Sequence, residues 1–177
     1  MNGLPCWSMP APWGGIAVYA CEGEPTAIVP TLTPVTEPEA APEAVSEILA
    51  LLEDVLAVPR ATDPSVKDKL FATRIFRELP EFTRRVLTLT ADIAPAAWTS
   101  YTELAEGIGS PAAARAVGQA LAHNPFPILI GCQRVCAASD RNRFDILRPD
   151  TFRPQAYLGR ADLSGVAQWL RLADFSL

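Results

Sequence analysis

Histidine is nearly absent from this sequence, which has one, His123, in 177 residues. Its four cysteines include no pair with the tight spacing of a zinc knuckle, and a structural zinc site needs four ligands. No apolar run approaches the roughly 20 residues of a membrane span. The first twelve residues lack the basic start and apolar stretch of a signal peptide. We therefore expect a cytoplasmic protein without a membrane segment, a metal or a disulfide framework.

Basic side chains are fewer than acidic ones, and the net charge is −5. Residues 1–60 hold eight acidic side chains and one basic side chain, a balance of −7, whereas residues 61–177 hold twelve acidic and fourteen basic, a balance of +2. The basic residues of the second part are mostly arginines, which suit bidentate contacts to phosphates and bases. A balance of +2 is weak, so any affinity for DNA should be modest and sensitive to salt.

The N-terminal part combines short strands with one helix. Apolar runs at residues 16–20 and 26–29 flank a turn and predict two strands, and the apolar stripe of Glu43–Ala57 predicts an amphipathic helix. Residues 58–80 are ambiguous, and we expect their apolar side chains to anchor a strand or a loop. These features predict a small N-terminal strand–helix domain at residues 1–79.

The C-terminal part is mainly helical. Apolar spacing predicts a helix at residues 81–93, and the pair Thr99–Ser100 can cap a short helix at about residues 101–106. The cap-and-proline pair Ser110–Pro111 predicts the start of a helix that runs to about residue 123. Two helices joined by a glycine turn are typical of a helix-turn-helix, whose second helix would be the recognition helix. The alternative is a helix of small residues packed in a core. The overall prediction is a mixed α/β (α+β) fold with a winged helix-turn-helix-like DNA-binding motif in residues 80–177.

An ordered set of short motifs lies in this second part. They read FTRRV at 82–86, TSYTELA at 99–105, AARAVG at 113–118, NPFP at 124–127, GCQR at 131–134 and YLG at 157–159. Together they resemble the O6-alkylguanine-DNA alkyltransferases, which repair alkylated guanine by moving the alkyl group onto a cysteine of the protein. The resemblance implies a monomer that acts on double-stranded DNA containing O6-alkylguanine, associates with the nucleoid and needs no cofactor.

The resemblance also implies a role for particular residues. Cys132 matches the alkyl acceptor, and Asn124 the asparagine that pins the active-site turn. Tyr101 matches the tyrosine that helps to rotate the nucleotide, and Arg115 the arginine that fills the gap left by the flipped guanine. Further matched positions are Ala114, Gly118 and Arg134 at the DNA, and Val135, Tyr157 and Gly159 in the guanine pocket.

The sequence departs from the family pattern around the cysteine. The family reads Pro-Cys-His-Arg, whereas Gly131 and Gln133 stand here at the proline and histidine positions. Glutamine can hold a water but cannot take a proton, so the base that activates the thiol is missing. Asp174 matches the family's glutamate but is one methylene shorter. His123 is either a substitute base or a capping histidine. The stretch 137–155 is longer than in the family; it is a solvated loop, or it reshapes the guanine pocket or reaches DNA.

Three functions remain open at this stage. The first is repair by a single irreversible transfer to Cys132, with Gln133, Asp174 and Asn124 around it. The second is a non-catalytic alkyltransferase-like protein that binds alkylated DNA and flags it for repair. The third is a repurposed domain in which Cys132 and Cys136 form a thiol sensor. Some family members carry an N-terminal zinc, so Cys6 and Cys21 are ordinary cysteines or the remnant of such a site.

Overall fold

The structure is a computed structural model that describes residues 4–11, 14–31, 40–57, 64–94 and 97–140. Its strands are β1 (Cys6–Ala11), β2 (Gly14–Cys21), β3 (Glu24–Thr31), β4 (Thr99–Ser100) and β5 (Val135–Cys136). Its α-helices are α1 (Glu43–Ala57), α2 (Pro64–Ala72), α3 (Arg74–Glu78), α4 (Glu81–Ala91), α5 (Tyr101–Gly107) and α6 (Ala114–Ala122). Short 3₁₀ turns cover Pro111–Ala113, Cys132–Arg134 and Ala138–Asp140.

A three-stranded antiparallel sheet with the order β1-β2-β3 forms the N-terminal part. The two predicted strands are confirmed as parts of β2 and β3, and β2 is central because its side chains are the most apolar and buried. The sequence analysis missed β1. This strand contains Pro10, which cannot donate to a ladder, and such a residue is tolerated because β1 lies at the edge of the sheet.

Helix α1 is confirmed with the predicted bounds, and it buries Val45, Ile48 and Leu52. The expectation of a strand or loop within residues 58–80 was wrong for the described part, which forms α2 and α3. Thr73 separates these two helices: its hydroxyl donates to the Leu70 carbonyl and accepts from the Phe76 amide. Thr73 therefore ends α2 and caps α3. Each of these helices is too short for the spacing of apolar residues to predict it.

Helix α4 is the central helix of the C-terminal part. Its buried face includes Val86, Leu87 and Ala91, and it ends two residues before the predicted end at residue 93. The C-terminal part therefore packs around a helix that the spacing of apolar residues predicted.

Helices α5 and α6 form the predicted helix-turn-helix. Ser100 and Glu103 make a capping box at the start of α5, and Gly109 turns the chain with φ +72°. The recognition helix was predicted to begin at Pro111, but residues 111–113 form a 3₁₀ turn and α6 begins at Ala114. Ser110 makes no side-chain cap bond, so the first turn winds more tightly before α6 starts.

One apolar core runs through the described residues, from β2 and α1 to α4, α6 and the segment around Cys132. The Ile28 amide on β3 donates to the Pro125 carbonyl at 2.9 Å, which joins the sheet to that segment. The mixed α/β class is confirmed, and the division into domains at residue 79 stays a prediction. None of the helices in the described ranges is long and apolar enough to cross a membrane.

Candidate active site

Cys132 opens a 3₁₀ turn that closes the buried segment after α6. Its amide donates to the Ile130 carbonyl at 2.6 Å, and the Arg134 amide donates to the Gly131 carbonyl at 2.9 Å. The residue is 4% exposed and its thiol is free. The turn therefore holds a reduced sulfur that is buried in the protein.

Asn124 fixes the two ends of the segment that leads to this turn. Its side-chain oxygen accepts from the Phe126 amide at 3.0 Å, and its nitrogen donates to the Ile130 carbonyl at 3.3 Å. Its side chain also hydrogen-bonds the Cys132 sulfur. One asparagine thus sets the shape of the loop and contacts the sulfur that the loop presents.

The same loop has an unusual backbone conformation at Ile128. This residue has φ +79°, in the left-handed region that β-branched side chains rarely adopt, and it is 2% exposed. Such a conformation costs on the order of 1–3 kcal/mol and persists only where the surroundings hold it. The Ile130 amide, which donates to the Phe126 carbonyl at 2.9 Å, closes the turn around it.

The environment of Cys132 favours the thiol over the thiolate. Burial raises the pKa of the Cys132 thiol above its ordinary value of 9.0. The hydrogen bond from Asn124, the backbone amides of Cys132 and Gln133, and the charge of Arg134 all lower this pKa, but they do not offset burial. Because the thiolate is the nucleophile, the sulfur at neutral pH rests mostly in its unreactive form.

The structure places Gln133 in the turn. The residue is 5% exposed, and its buried Oε1 has no hydrogen-bond partner within the described part of the chain. His123 is exposed at the end of α6, where its ring binds the Gln119 carbonyl at 2.7 Å, as expected for the capping alternative. Asp174, the other candidate in proton transfer, lies outside the described residues.

Arg134 lies inside the protein, which disagrees with its predicted contact to DNA. It is 5% exposed, and Nη1 donates to the Ile93 carbonyl at 2.9 Å, just beyond α4. The guanidinium also packs over Gly131, where a β-carbon would meet Nη1 at 2.8 Å. Arg134 therefore braces the turn from within, a contact that the sequence analysis missed because arginine is seldom so buried.

The other predicted DNA residues lie on α5 and α6. Arg115, in the first turn of α6, is exposed, whereas Ala114 is half-buried. The Tyr101 ring lies against Gly118, where a β-carbon would be 3.7 Å from the ring, an ordinary contact. The first turn of α6 is thus accessible, and small residues let α5 and α6 approach closely.

A two-residue parallel pairing links the cysteine turn to the helix-turn-helix. Val135 and Cys136 of β5 pair with Thr99 and Ser100 of β4, and Ser100 is the N-cap of α5. Val135 is fully buried, and its amide donates to the Cys132 carbonyl. The pairing explains how a buried sulfur and a DNA-binding motif are held in fixed relation.

Some of the remaining predicted site residues are not described by the structure. Tyr157, Gly159 and residues 141–155 of the long loop lie outside the described residues. Cys6 and Cys21 are free, and in the described part of the chain no three potential ligands gather to hold a metal. Cys132 and Cys136 are both buried, which disfavours a redox sensor because oxidation requires access to the sulfur.

Comparisons with known proteins show which family and which relatives this sequence is similar to. Residues 81–147 match the family described as the DNA binding domain of 6-O-methylguanine DNA methyltransferase. A methylated-DNA–protein-cysteine methyltransferase of Mycolicibacterium paratuberculosis is 49% identical over 61 residues, which are 34% of this chain and 37% of that protein. Its counterpart in Mus musculus is 38% identical over 116 residues, 60% of this chain and 52% of that protein. The matches thus span about half or less of the relatives' length.

A solved structure extends the likeness to the whole fold. The crystal structure of Mycobacterium tuberculosis O6-methylguanine methyltransferase superposes with a TM-score of 0.64. The match covers 98% of this chain and 93% of that one, at 23% identity. At this identity the match shows that the fold is shared, including the N-terminal sheet that the family match does not reach.

Proposed function

Since the chain belongs to the O6-alkylguanine-DNA alkyltransferase (methylated-DNA–protein-cysteine methyltransferase) family, we propose that it repairs DNA by moving an alkyl group from O6 of guanine to Cys132. The sulfur attacks the alkyl carbon, an S–C bond forms, and the C–O6 bond breaks. The thiol loses its proton and the restored guanine gains one, so the reaction balances without a cofactor. The thioether is stable, and each protein molecule acts once.

In this proposal, groups of the turn stabilise the thiolate in place of the missing histidine. The Asn124 hydrogen bond, the backbone amides and the Arg134 charge stabilise the thiolate as it forms. Cysteine depends less on a general base than other nucleophiles, so transfer persists at a reduced rate. Losing a general base typically slows a reaction by about 10²–10⁴-fold.

The helix-turn-helix delivers the guanine. A base inside a duplex cannot meet a buried sulfur, so it is flipped out at a cost of a few kcal/mol. Arg115 is exposed at the start of α6 and fills the vacated place, while Tyr101 at the start of α5 guides the phosphate. The observation that carries the proposal is the β4–β5 pairing, which ties this surface to the Cys132 turn.

The test is intact-protein mass spectrometry after incubation with a duplex that contains one O6-methylguanine. A gain of one methyl group in place of hydrogen, mapped to Cys132, supports transfer. Cys132→Ser should bind the duplex without gaining the group. Stable methylation of the serine variant, or of another cysteine in the native chain, would contradict the assignment.

The second candidate is a lesion reader that binds alkylated DNA without transfer. The buried Gln133, whose oxygen is unpartnered and which cannot carry a proton, favours this alternative, as does the raised pKa of Cys132. The same experiment separates the two functions. Selective binding of the alkylated duplex with no mass gain, even after long incubation, identifies the reader.

A further inference from the structure

A cavity of about 540 Å³ opens away from the cysteine turn, between α3, α4 and the end of α5. Three arginines line it: Arg77 on α3, and Arg84 and Arg85 on α4. Neither Cys132 nor Arg115 contributes to its wall. Arg77 lies on a different helix from Arg84 and Arg85, so this cluster is formed by the fold and is not evident from the net charge.

The charge in this cavity is unbalanced. The ion pairs among the described residues involve Lys67, Lys69 and Arg74, and none includes a cavity arginine. Among the described residues of the wall, Glu81 is the one carboxylate, so three positive groups there meet a single negative group. Surface arginines without carboxylate partners, gathered on one concave surface, attract an anion.

The polar atoms of the arginines are only partly satisfied. Arg85 Nη2 donates to the Ile108 carbonyl at 2.5 Å, whereas the buried Arg84 Nε has no hydrogen-bond acceptor among the described residues. A buried donor without an acceptor costs roughly 1–3 kcal/mol, and a bound water or ion is one way to supply the acceptor. A phosphate oxygen would accept a hydrogen bond from this donor, and its negative charge would neutralise part of the excess positive charge.

Apart from Thr88, the rest of the described wall is apolar and partly aromatic. The Phe71 and Phe76 rings stack with their centroids 4.4 Å apart, and Leu89 lies beside them in the lining. The cavity volume falls within the roughly 300–1,000 Å³ of small-molecule sites. An aromatic wall next to an anion-binding cluster suits a ligand that has a flat ring at one end and a phosphate at the other.

We propose that this cavity binds a phosphate monoester of mononucleotide size, with the phosphate between Arg84, Arg77 and Arg85 and the base against the phenylalanine wall. The site is separate from the cysteine turn, so it is independent of whether Cys132 accepts an alkyl group. A small ligand fits better than duplex DNA, since the arginines line a concave space between helices rather than a protruding surface.

The probe is 2′-deoxyadenosine 5′-monophosphate, titrated into ¹⁵N-labelled protein, with inorganic phosphate and deoxyadenosine as half-ligands. We expect shifts of the amide signals of Thr88, Leu89, Gly107 and Ile108, and tighter binding of the nucleotide than of either half. Arg84→Gln should weaken nucleotide binding about tenfold or more, because a charged hydrogen-bond donor is lost. If that variant does not fold, Arg77→Gln, whose side chain is exposed, gives the same test.

The matched control is Arg74→Gln, which removes the same charge from α3 at a residue paired with Glu22 and Glu78 outside the cavity. Its nucleotide affinity should equal that of the native chain. Absence of shifts at millimolar nucleotide, or equal losses in the control and cavity variants, would overturn the proposal. So would an unmodified duplex that moves the same amides and binds more weakly to Arg84→Gln, since the arginines would then be duplex contacts.

Discussion

The guanidinium of Arg134 fills the space that a β-carbon on Gly131 would need. A β-carbon there would lie 2.8 Å from Nη1, 3.0 Å from Cδ and 3.1 Å from Cζ. The backbone of Gly131, at φ −66° and ψ 52°, does not itself require glycine. This glycine is therefore needed for room rather than for conformational freedom.

Gly131→Ala should lower the free energy of unfolding by about 1–3 kcal/mol, the usual cost of inserting a carbon into a packed site. Urea unfolding measures it. In an Arg134→Ala background the same substitution should cost much less, because the obstructing side chain is gone. Equal costs in both backgrounds would contradict the coupling.

Gly118→Ala is the matched control for that experiment. A β-carbon at residue 118 meets only the Tyr101 ring, at 3.7 Å, and the residue lies in the interior of α6. Replacing a helical glycine by alanine should raise the free energy of unfolding by roughly 0.5–1 kcal/mol. Two glycine-to-alanine changes in the same domain should thus shift stability in opposite directions.

The raised pKa of Cys132 predicts a loss of stability at alkaline pH. In the unfolded chain the thiol has its ordinary pKa, so with rising pH the unfolded state loses this proton first and gains in relative stability. The contribution is complete below the ordinary value of 9.0 and disappears as pH rises through the higher folded pKa. Cys132→Ala should flatten the decline in the urea midpoint above pH 8.5 or so; parallel declines for both proteins would show that the thiol is not responsible.

Gln133 offers two substitutions with different outcomes. Gln133→Met keeps the length of the side chain and removes the unpartnered oxygen, so it should raise the free energy of unfolding by about 1 kcal/mol. Gln133→His restores a titratable group and should accelerate alkyl transfer by about 10²-fold if the chain is a transferase. Single-turnover transfer from a labelled duplex measures the rate. No acceleration in a folded histidine variant would reject residue 133 as the missing base.

Arg115→Ala should weaken binding to a duplex with O6-methylguanine by about tenfold, because the flipped-out state loses the side chain that offsets its cost. The melting temperature should not change, since Arg115 is exposed. Fluorescence anisotropy gives the affinity, and Arg74→Ala, which removes the same charge on α3, serves as the control. Matching losses of affinity in the two variants would indicate a general charge effect instead.

The sequence predicted helices with long apolar stripes well and contacts between distant residues poorly. Helix α1 was found with its bounds because apolar residues recur over its whole length, and α5 because Thr99–Ser100 was read as a helix cap, a role that Ser100 has in the structure. Strand β1 was missed because Pro10 argues against a strand unless its edge position is known. Helices α2 and α3 were missed because each is too short for periodicity to identify.

In the candidate site, too, residues within local motifs were predicted and contacts between distant residues were not. The family motifs predicted Cys132 and Asn124, which the structure brings into contact, and the absence of a histidine at residue 133 was visible at once. The burial of Arg134 depends on the end of α4, forty-one residues earlier in the chain, and no local pattern encodes such a contact. Its place in the interior is a property of the tertiary fold, in which its side chain packs over Gly131.

The hydrogen bond from the Ile28 amide to the Pro125 carbonyl crosses nearly a hundred residues of sequence. Its acceptor follows directly on Asn124, the residue that shapes the segment ending at Cys132. An opening of that segment large enough to break this bond would expose an amide proton in the N-terminal sheet. The rate of hydrogen exchange at Ile28 therefore reports how often the cysteine loop opens, from a strand that has no part in the chemistry.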